Sequence, residues 1–237
     1  LQYSNNHTIG GGFTSANQIN CPFATGIHIR LGSNGNAVAG NTLQNNNYGI
    51  YIEDSFDNQI GQPGVGNTIM SNATDGISIS AINGDARRNK VINNQINNNL
   101  VSGVQIYGQG GFKASQDSIL NNSIHDNGQF GIRVSITDSN IFYGNSIFKN
   151  TTSGISFVGA QGFIGAPVIT NILPDTTIQG TSSPNALIQI YADLTDQGQY
   201  FLATTTADGS GIWSKKVSMP ICRNVTALQD SSGNTST

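Results

Sequence analysis

The sequence predicts an all-β protein: a right-handed parallel β-helix of about six coils, followed by a small β-sandwich. Three observations support this fold class. A motif of Asn, Ile and Gly recurs roughly every 23 to 28 residues. Apolar residues within each copy alternate with polar ones, which is the period of a strand with one buried face. After Pro167 the repeat ends, and short apolar runs alternate with turn dipeptides.

The repeat is clearest from Asn94 to Ile106, where it follows the template N-x-I-x-x-N-x-x-x-G-I-x-I with Val104 at one Ile position. Further copies begin at Asn41, Asn67, Asn122 and Asn145, and a degenerate copy begins at Asn17. A shorter apolar motif, such as Asn89-Lys90-Val91, precedes each copy. Each turn of the chain is therefore expected to contain three short strands.

The strands are too short to bury an apolar face alone, so the copies must stack on one another. Asn and Gly suit the bends between strands, because both tolerate a left-handed backbone conformation. Parallel crossovers favour the right-handed form. The second Asn of each template should form a hydrogen-bonded structural ladder at one bend, and its members are Asn46, Asn72, Asn99, Asn127 and Asn150.

This Asn-rich repeat resembles the right-handed parallel β-helix repeats of the pectate-lyase-like superfamily, in particular extracellular bacterial proteins with NosD-like repeats. The resemblance covers residues 1–165 and implies a β-helical domain there. It implies no single function, since the superfamily includes lyases, hydrolases, epimerases, phage tailspikes, adhesins and inert stalks.

Residues 166–237 are predicted to form a second domain. Six short strands are expected, separated by turns such as Pro174-Asp175 and Ser183-Pro184-Asn185. The segment resembles bacterial Ig-like modules that follow β-helices in surface proteins. Trp213, the only tryptophan, is expected to anchor the core of this domain.

Longer insertions interrupt the repeat at 54–66, 80–88 and 108–116, and they are expected to project as loops. In solenoids such insertions tend to fall on one face, and that face often binds. The third insertion contains Gly110, Gly111 and the aromatic Phe112. It is the loop most suited to contact a partner.

The composition excludes several function classes. The chain has 10 basic and 13 acidic residues among 237, a net charge of −3. Nucleic-acid binding requires clustered Lys and Arg, so this sparse charge argues against a nucleic-acid surface. No apolar run approaches the ~20 residues of a membrane span. With the resemblance, this composition predicts an extracellular or cell-surface protein.

Two cysteines are present, Cys21 in the first coil and Cys222 near the end of the chain. Roughly five coils at ~4.8 Å spacing separate the first coil from the domain boundary, which is too far for an intrachain disulfide unless the last domain folds back. The simplest interpretation is two buried free thiols. The alternative is an intermolecular disulfide between the two in a head-to-tail fibre.

The outward positions of the G-I-x-I strands are where β-helical lyases and hydrolases place their chemistry. A lyase needs carboxylates and a basic residue, and a hydrolase needs paired carboxylates. The candidate catalytic residues on this wall are Glu53, Asp54, Arg30 and Arg133, and the candidate carbohydrate-binding residues are His28, Tyr51, Gln105, Tyr107 and Phe112. The alternative is that Glu53 and Arg30 form only a surface ion pair.

No cofactor or metal site is predicted, because the three histidines are scattered over different coils. Calcium at Asp208 or Asp230 is an alternative to a plain role in glycine-rich turns. The Asp-Pro-His motif of β-helical uronan epimerases is absent, and the corresponding positions read Tyr51-Ile52-Glu53-Asp54.

The function favoured by these observations is structural: a β-helical rod that serves as a stalk, adhesin or fibre subunit. The expected partners are its own subunits, joined end to end, or a polysaccharide. The alternative is a polysaccharide lyase, hydrolase or binding protein that uses the outward wall. A third reading, a phage tailspike, predicts a stable trimer.

Overall fold

The computed structural model describes residues 1–12, 16–159, 164–194, 197–218, 224–231 and 234–235. The described residues form strands, turns and bends, with no α-helix among them. The chain first coils into a right-handed parallel β-helix and then forms two small antiparallel sheets. The prediction of an all-β protein built on a parallel β-helix is confirmed.

The β-helix contains 20 short strands. In chain order they are β1 Thr8–Gly10, β2 Gln18–Ile19, β3 Ile27–Ile29, β4 Ala37–Ala39, β5 Thr42–Gln44, β6 Ile50–Glu53, β7 Gln59–Ile60, β8 Thr68–Met70, β9 Ile77–Ala81, β10 Ala86–Arg87, β11 Lys90–Ile92, β12 Gln95–Asn97, β13 Ser102–Gly108, β14 Ala114–Ser115, β15 Ser118–Leu120, β16 Ser123–His125, β17 Phe130–Ser135, β18 Ile141–Tyr143, β19 Ser146–Phe148 and β20 Ser153–Val158.

Three parallel sheets of six strands form the walls of the β-helix. The first sheet contains β1, β4, β7, β11, β15 and β18, the second β2, β5, β8, β12, β16 and β19, and the third β3, β6, β9, β13, β17 and β20. Strand order follows chain order, so each layer lies on the one before. Equivalent template positions are paired, as Ile50 with Ile77 and Ile77 with Val104 in the third sheet.

The interior of the β-helix is a stack of aliphatic side chains. Ile52, Ile79 and Ile106 are 0 % exposed, and the other inward columns join them in one hydrophobic cluster. Burying one such side chain contributes roughly 1.5 to 3 kcal/mol. No layer could retain this contribution alone, because each is only one strand thick.

Ladders of asparagine follow the bends of the β-helix. In the ladder that contains Asn46, Asn72, Asn99, Asn127 and Asn150, each residue donates to the side-chain oxygen of the next. Asn72, for example, donates its backbone N–H at 3.1 Å and its Nδ2 at 2.8 Å to Oδ1 of Asn99. The buried bends thereby satisfy donors that would otherwise cost about 1–3 kcal/mol each.

Two of the three insertions stack in part instead of projecting. Ala86–Arg87 and Ala114–Ser115, which lie in the second and third insertions, pair with each other as a two-stranded parallel sheet. Ala86 and Ala114 are buried against the core cluster. The expectation of wholly projecting loops at 80–88 and 108–116 is therefore wrong, because their small apolar residues extend the interior.

Cys21 is exposed and forms no disulfide in the described part of the chain. The interpretation of Cys21 as a buried thiol is wrong. Cys21 lies in the bend before β3, where its backbone N–H donates to Asn46 Oδ1 while the side chain faces outward. Cys222 lies outside the described residues.

The C-terminal region contains seven antiparallel strands in two sheets. They are β21 Val168–Ile172, β22 Thr177–Thr181, β23 Leu187–Asp193, β24 Tyr200–Thr206, β25 Ile212–Lys216, β26 Asn224–Ser231 and β27 Asn234–Thr235. The sheet orders are β21-β22-β25 and β24-β23-β26-β27. Both sheets contribute to one cluster around Trp213, which is 2 % exposed.

The antiparallel region covers the last layer of the β-helix. Gln197 Oε1 accepts hydrogen bonds from the backbone N–H and Nδ2 of Asn150 at 2.9 and 3.2 Å, as the next ladder asparagine would. Gln189 pairs with the β18 edge, where Nε2 donates to Phe142 O and Oε1 accepts from Gly144 N–H. The open end of the ladder is thereby closed by side-chain amides of the same chain.

We predict that Gln197→Ala destabilises the end of the β-helix, because it removes the acceptor for both Asn150 donors in a partly buried site. The expected loss is about 1–3 kcal/mol, measured by chemical denaturation and by faster amide hydrogen exchange in β19 and β20.

Gln199→Ala is the matched control for Gln197→Ala. The hydrogen bond that Gln199 makes to the β-helix uses its backbone oxygen, which accepts from Ser146 Oγ and is kept in the variant. Equal stability losses in the two variants would show that the amide does not act as the end of the ladder.

Candidate functional site

The outward face of the third sheet is the wall that contains most of the predicted candidate site residues. The register aligns one line of residues along it, and a second line runs beside the first. The first line is His28, Tyr51, Ser78, Gln105, Arg133 and Ser156, and the second contains Glu53, Ser80, Tyr107, Ser135 and Val158. Strand stacking alone brings these positions together.

Three half-buried rings stack at the start of this wall. The ring centroids of His28 and Tyr51 are 4.9 Å apart, and those of Tyr51 and Tyr48 are 5.1 Å apart, with interplanar angles below 20°. Glu53 Oε2 lies 3.0 Å from His28 Nε2. Burial raises the pKa of Tyr51. Burial lowers the pKa of His28, although the hydrogen bond to Glu53 opposes this effect.

The expected ion pair between Glu53 and Arg30 is not present in the described structure. Glu53 is engaged by His28, and Arg30 donates from Nη2 to Gln2 Oε1 at 3.2 Å. The imidazole of His28, in the preceding layer, binds the Glu53 carboxylate instead.

Asp54 holds the following insertion in place. Its Oδ1 accepts the backbone N–H of Ile82 at 2.7 Å, and both carboxylate oxygens accept that of Asn83 at 3.2 Å. Asp54 therefore stabilises a bend, whereas Glu53 is the carboxylate that binds His28.

Arg133 packs along the wall. Its guanidinium lies 5.6 Å from the ring centroid of Phe130, and its Nε is buried without a hydrogen-bond partner among the described residues. Burial raises the pKa of nearby Asp75 to about 6, although hydrogen bonds with Ser102 and the positive charge of Arg133 oppose this effect.

The remaining binding candidates are spread along the wall and its rim. Gln105 lies between Ser78 and Arg133 in the first line. Tyr107 donates its hydroxyl to Gln109 Oε1 at 3.0 Å. Phe112, in the third insertion, is 37 % exposed. These residues do not converge with the His28 ring stack at one point.

The sequence interpretation missed a buried carboxylate in an asparagine ladder. The ladder Asn36, Asn58, Asn89, Asp117, Asn140 contains one acid. Asp117 Oδ1 accepts from Asn89, whereas Oδ2 is buried with no partner in the described structure. Burial raises the pKa of Asp117 to about 8. The sequence shows this substitution, because Asp117 stands before Ser118-Ile119 at the position where other copies have Asn.

The residues proposed for calcium have other roles. Asp208 Oδ1 accepts the backbone N–H groups of Ser210 and Ile212 at 2.8 and 2.9 Å, which is a turn role. Asp230 is partly buried at the domain junction and accepts from Gln189 Nε2 and Thr235 Oγ1.

A family model described as "Periplasmic copper-binding protein (NosD)" matches residues 1–160, which is more than half of the chain. The chain belongs to the NosD family. No curated protein matches it. No helix in the described ranges is long and apolar enough to cross a membrane.

One of the similar solved structures supports the fold of this NosD-family chain. The periplasmic alginate epimerase AlgG is similar with a TM-score of 0.52 and 21 % identity, over 60 % of this chain and 31 % of that chain. The Dettilon tailspike protein (gp208) is 13 % identical with a TM-score of 0.29, over 90 % of this chain and 66 % of that one. The chain spans about a third of AlgG, and at this identity the likeness concerns the fold alone.

The described residues contain no ligand set that matches the copper named in the family description. No group of three or more His, Cys, Asp or Glu side chains lies together there. His28 is bonded to Glu53, and His125 Nδ1 lies 2.7 Å from Asp126 Oδ2. Copper sites in proteins use converging imidazole and sulfur ligands, so these residues do not fit such a site.

We predict that Asp117 makes the protein less stable as pH rises. Between the unfolded pKa near 4 and the folded pKa of about 8, the folded state keeps a proton that the unfolded state has lost. Stability therefore falls across that window. Asp117→Asn removes this dependence and supplies the amide of the ladder, so it should stabilise by about 1–3 kcal/mol at neutral pH.

The measurement is urea unfolding of both proteins at several pH values from 4 to 8. Asp126→Asn is the control, because it removes an exposed carboxylate, whose Oδ2 lies 2.7 Å from His125 Nδ1. If the stability difference between wild type and Asp117→Asn does not change with pH, Asp117 does not keep its proton in the folded state.

Proposed function

We propose that this chain is an extracytoplasmic structural module: a β-helical rod, joined to an Ig-like domain, that serves as a stalk, adhesin or fibre subunit. The periplasmic description of the family is consistent with an extracellular or periplasmic location. The assignment of the antiparallel region as Ig-like rests on its two sheets and shared tryptophan cluster.

One observation carries the structural role: three of the four candidate catalytic side chains already bind neighbouring layers. Glu53 binds His28, Asp54 binds backbone N–H groups of the next layer, and Arg30 donates to Gln2 Oε1. Together with the continuous amide ladders, these contacts tie layer to layer along the rod. A catalytic site requires the opposite arrangement, in which acids and bases converge on a free space.

Self-assembly end to end is the partnership that the layer geometry favours. Strands β1 and β2 stand at the ends of their sheets and pair on one side only in the described structure, whereas the end strand β3 also accepts a hydrogen bond from the Leu1 amino group at His28 O. Unpaired strand edges of this kind accept further strands. At the opposite end the chain's own antiparallel sheets cover the last layer. Assembly would therefore place the first layer of one subunit against the antiparallel domain of the next.

We predict that the purified protein forms end-to-end chains of rods whose average mass rises with concentration, as seen by light scattering and negative-stain electron microscopy. Ile9→Lys, which places a charge at the edge of the first layer, should leave single rods. Leu100→Lys, at an exposed position on the rod surface, is the control.

If the protein is monomeric at every concentration, the proposed fibre role is wrong and the stalk role remains. Chains that separate only in reductant would implicate the Cys21–Cys222 disulfide as the link.

The ring stack supports a second candidate, polysaccharide binding on the wall of the third sheet. Tyr48, Tyr51 and His28 present half-buried aromatic edges beside the Glu53 carboxylate. Aromatic rings combined with a few polar groups are typical of ligand surfaces. On this interpretation the wall binds the chain of a polysaccharide, and the rod displays it.

We predict that Tyr51→Ala weakens binding of an acidic polysaccharide by about tenfold, equivalent to ~1.4 kcal/mol, in affinity electrophoresis. Tyr200→Ala, which removes an exposed tyrosine in the antiparallel region, is the control. Polysaccharide cleavage that Glu53→Gln abolishes without loss of binding would instead identify an enzyme.

A further inference from the structure

An apolar cleft of about 410 Å³ lies where the antiparallel sheets meet the last layer of the β-helix. Phe142, Ile147 and Ile155 line it from the β-helix, and Ile169 and Leu228 line it from the antiparallel sheets. Its volume is within the range of small-molecule sites, about 300 to 1,000 Å³.

The cleft follows from how the two parts of the chain meet. The hydrogen bonds between them are made at β18 and β19, through Phe142, Gly144, Ser146 and the adjoining Asn150. The inward residues of β20 end the aliphatic columns, yet Ile155 is only partly buried, whereas its equivalents in the preceding layers are fully buried. The end of the hydrophobic core therefore opens into the cleft.

The walls determine the class of ligand. None of the described lining residues is charged. Thr226 also lines the cleft, and the hydroxyl of Tyr191, another lining residue, donates to Gln189 Oε1 at 2.8 Å. A matching ligand is neutral and mainly apolar, with a hydrogen-bonding group that can meet the polar part of the wall.

We propose that the cleft between the last β-helical layer and the antiparallel sheets is a binding site for a small neutral, predominantly apolar molecule. Apolar side chains form the larger part of the wall, and polar residues such as Asn145, Ser153 and Gln197 form the rest. An apolar molecule would remove Ile155 and Leu228 from water and complete the interior where the stacked strands end.

The test uses the neutral dye prodan, which has one carbonyl group and fluoresces strongly in apolar surroundings. Trp213, the only tryptophan, belongs to the same cluster as Ile169, Val225 and Ala227, which line the cleft. Prodan bound in the cleft should therefore quench Trp213 by energy transfer, with saturation at one dye per chain. Decanol should displace it.

Two variants introduce a carboxylate from opposite walls, Ile155→Glu and Leu228→Glu. Each should weaken prodan binding by at least about tenfold, because a charge must then be desolvated or the dye excluded. Leu100→Glu, exposed on the rod, adds the same charge elsewhere and should bind as the wild type does. Circular dichroism and thermal unfolding establish whether each variant is folded. One folded cleft variant is enough to test the proposal.

Three results would overturn the proposal. They are absence of saturable binding by the wild type, binding without energy transfer from Trp213, and unchanged affinity in a folded cleft variant.

Discussion

The asparagine ladder is the interaction on which the rest of the structure depends. Each buried bend exposes a backbone N–H, and its acceptor is the side chain of the following layer. A layer is therefore complete only when the next one is in place, and the last layer needs a substitute. Gln197, in the antiparallel region, supplies the missing acceptor to Asn150 with a side-chain amide, as a ladder asparagine would. The antiparallel region is thus part of the β-helix's hydrogen bonding as well as a fold of its own.

The same dependence between layers explains the outward wall. Strand stacking brings side chains of successive layers within contact distance, and polar groups there pair with the layer above or below. Glu53 with His28, and Lys113 with Asp138 at 2.5 Å, are pairs of this kind. Exposed pairs contribute little to stability, but they occupy groups that a catalytic site would need free. This arrangement supports the proposed structural role.

The fold was predictable because its signals are local and repeated. Alternation identified the inward columns, and the template spacing identified which residues stack, so the register of Ile50, Ile77 and Val104 followed directly. Turn dipeptides located the antiparallel strands to within a few residues. The site was less predictable. The register aligned Arg30 with Glu53, but the choice of His28 as partner depends on side-chain reach, which a sequence pattern does not encode.

The sequence by itself determined the parallel β-helix, its aliphatic columns and the positions of its ladder asparagines, because each depends on a period shared by every copy. Only the tertiary structure decided the exposure of Cys21, the pairing of the two insertions and the docking of Gln197 onto Asn150. These features join segments that share no repeat, so no local period relates them. Their geometry is set by which surfaces meet when the stack ends, and that is a property of the folded chain.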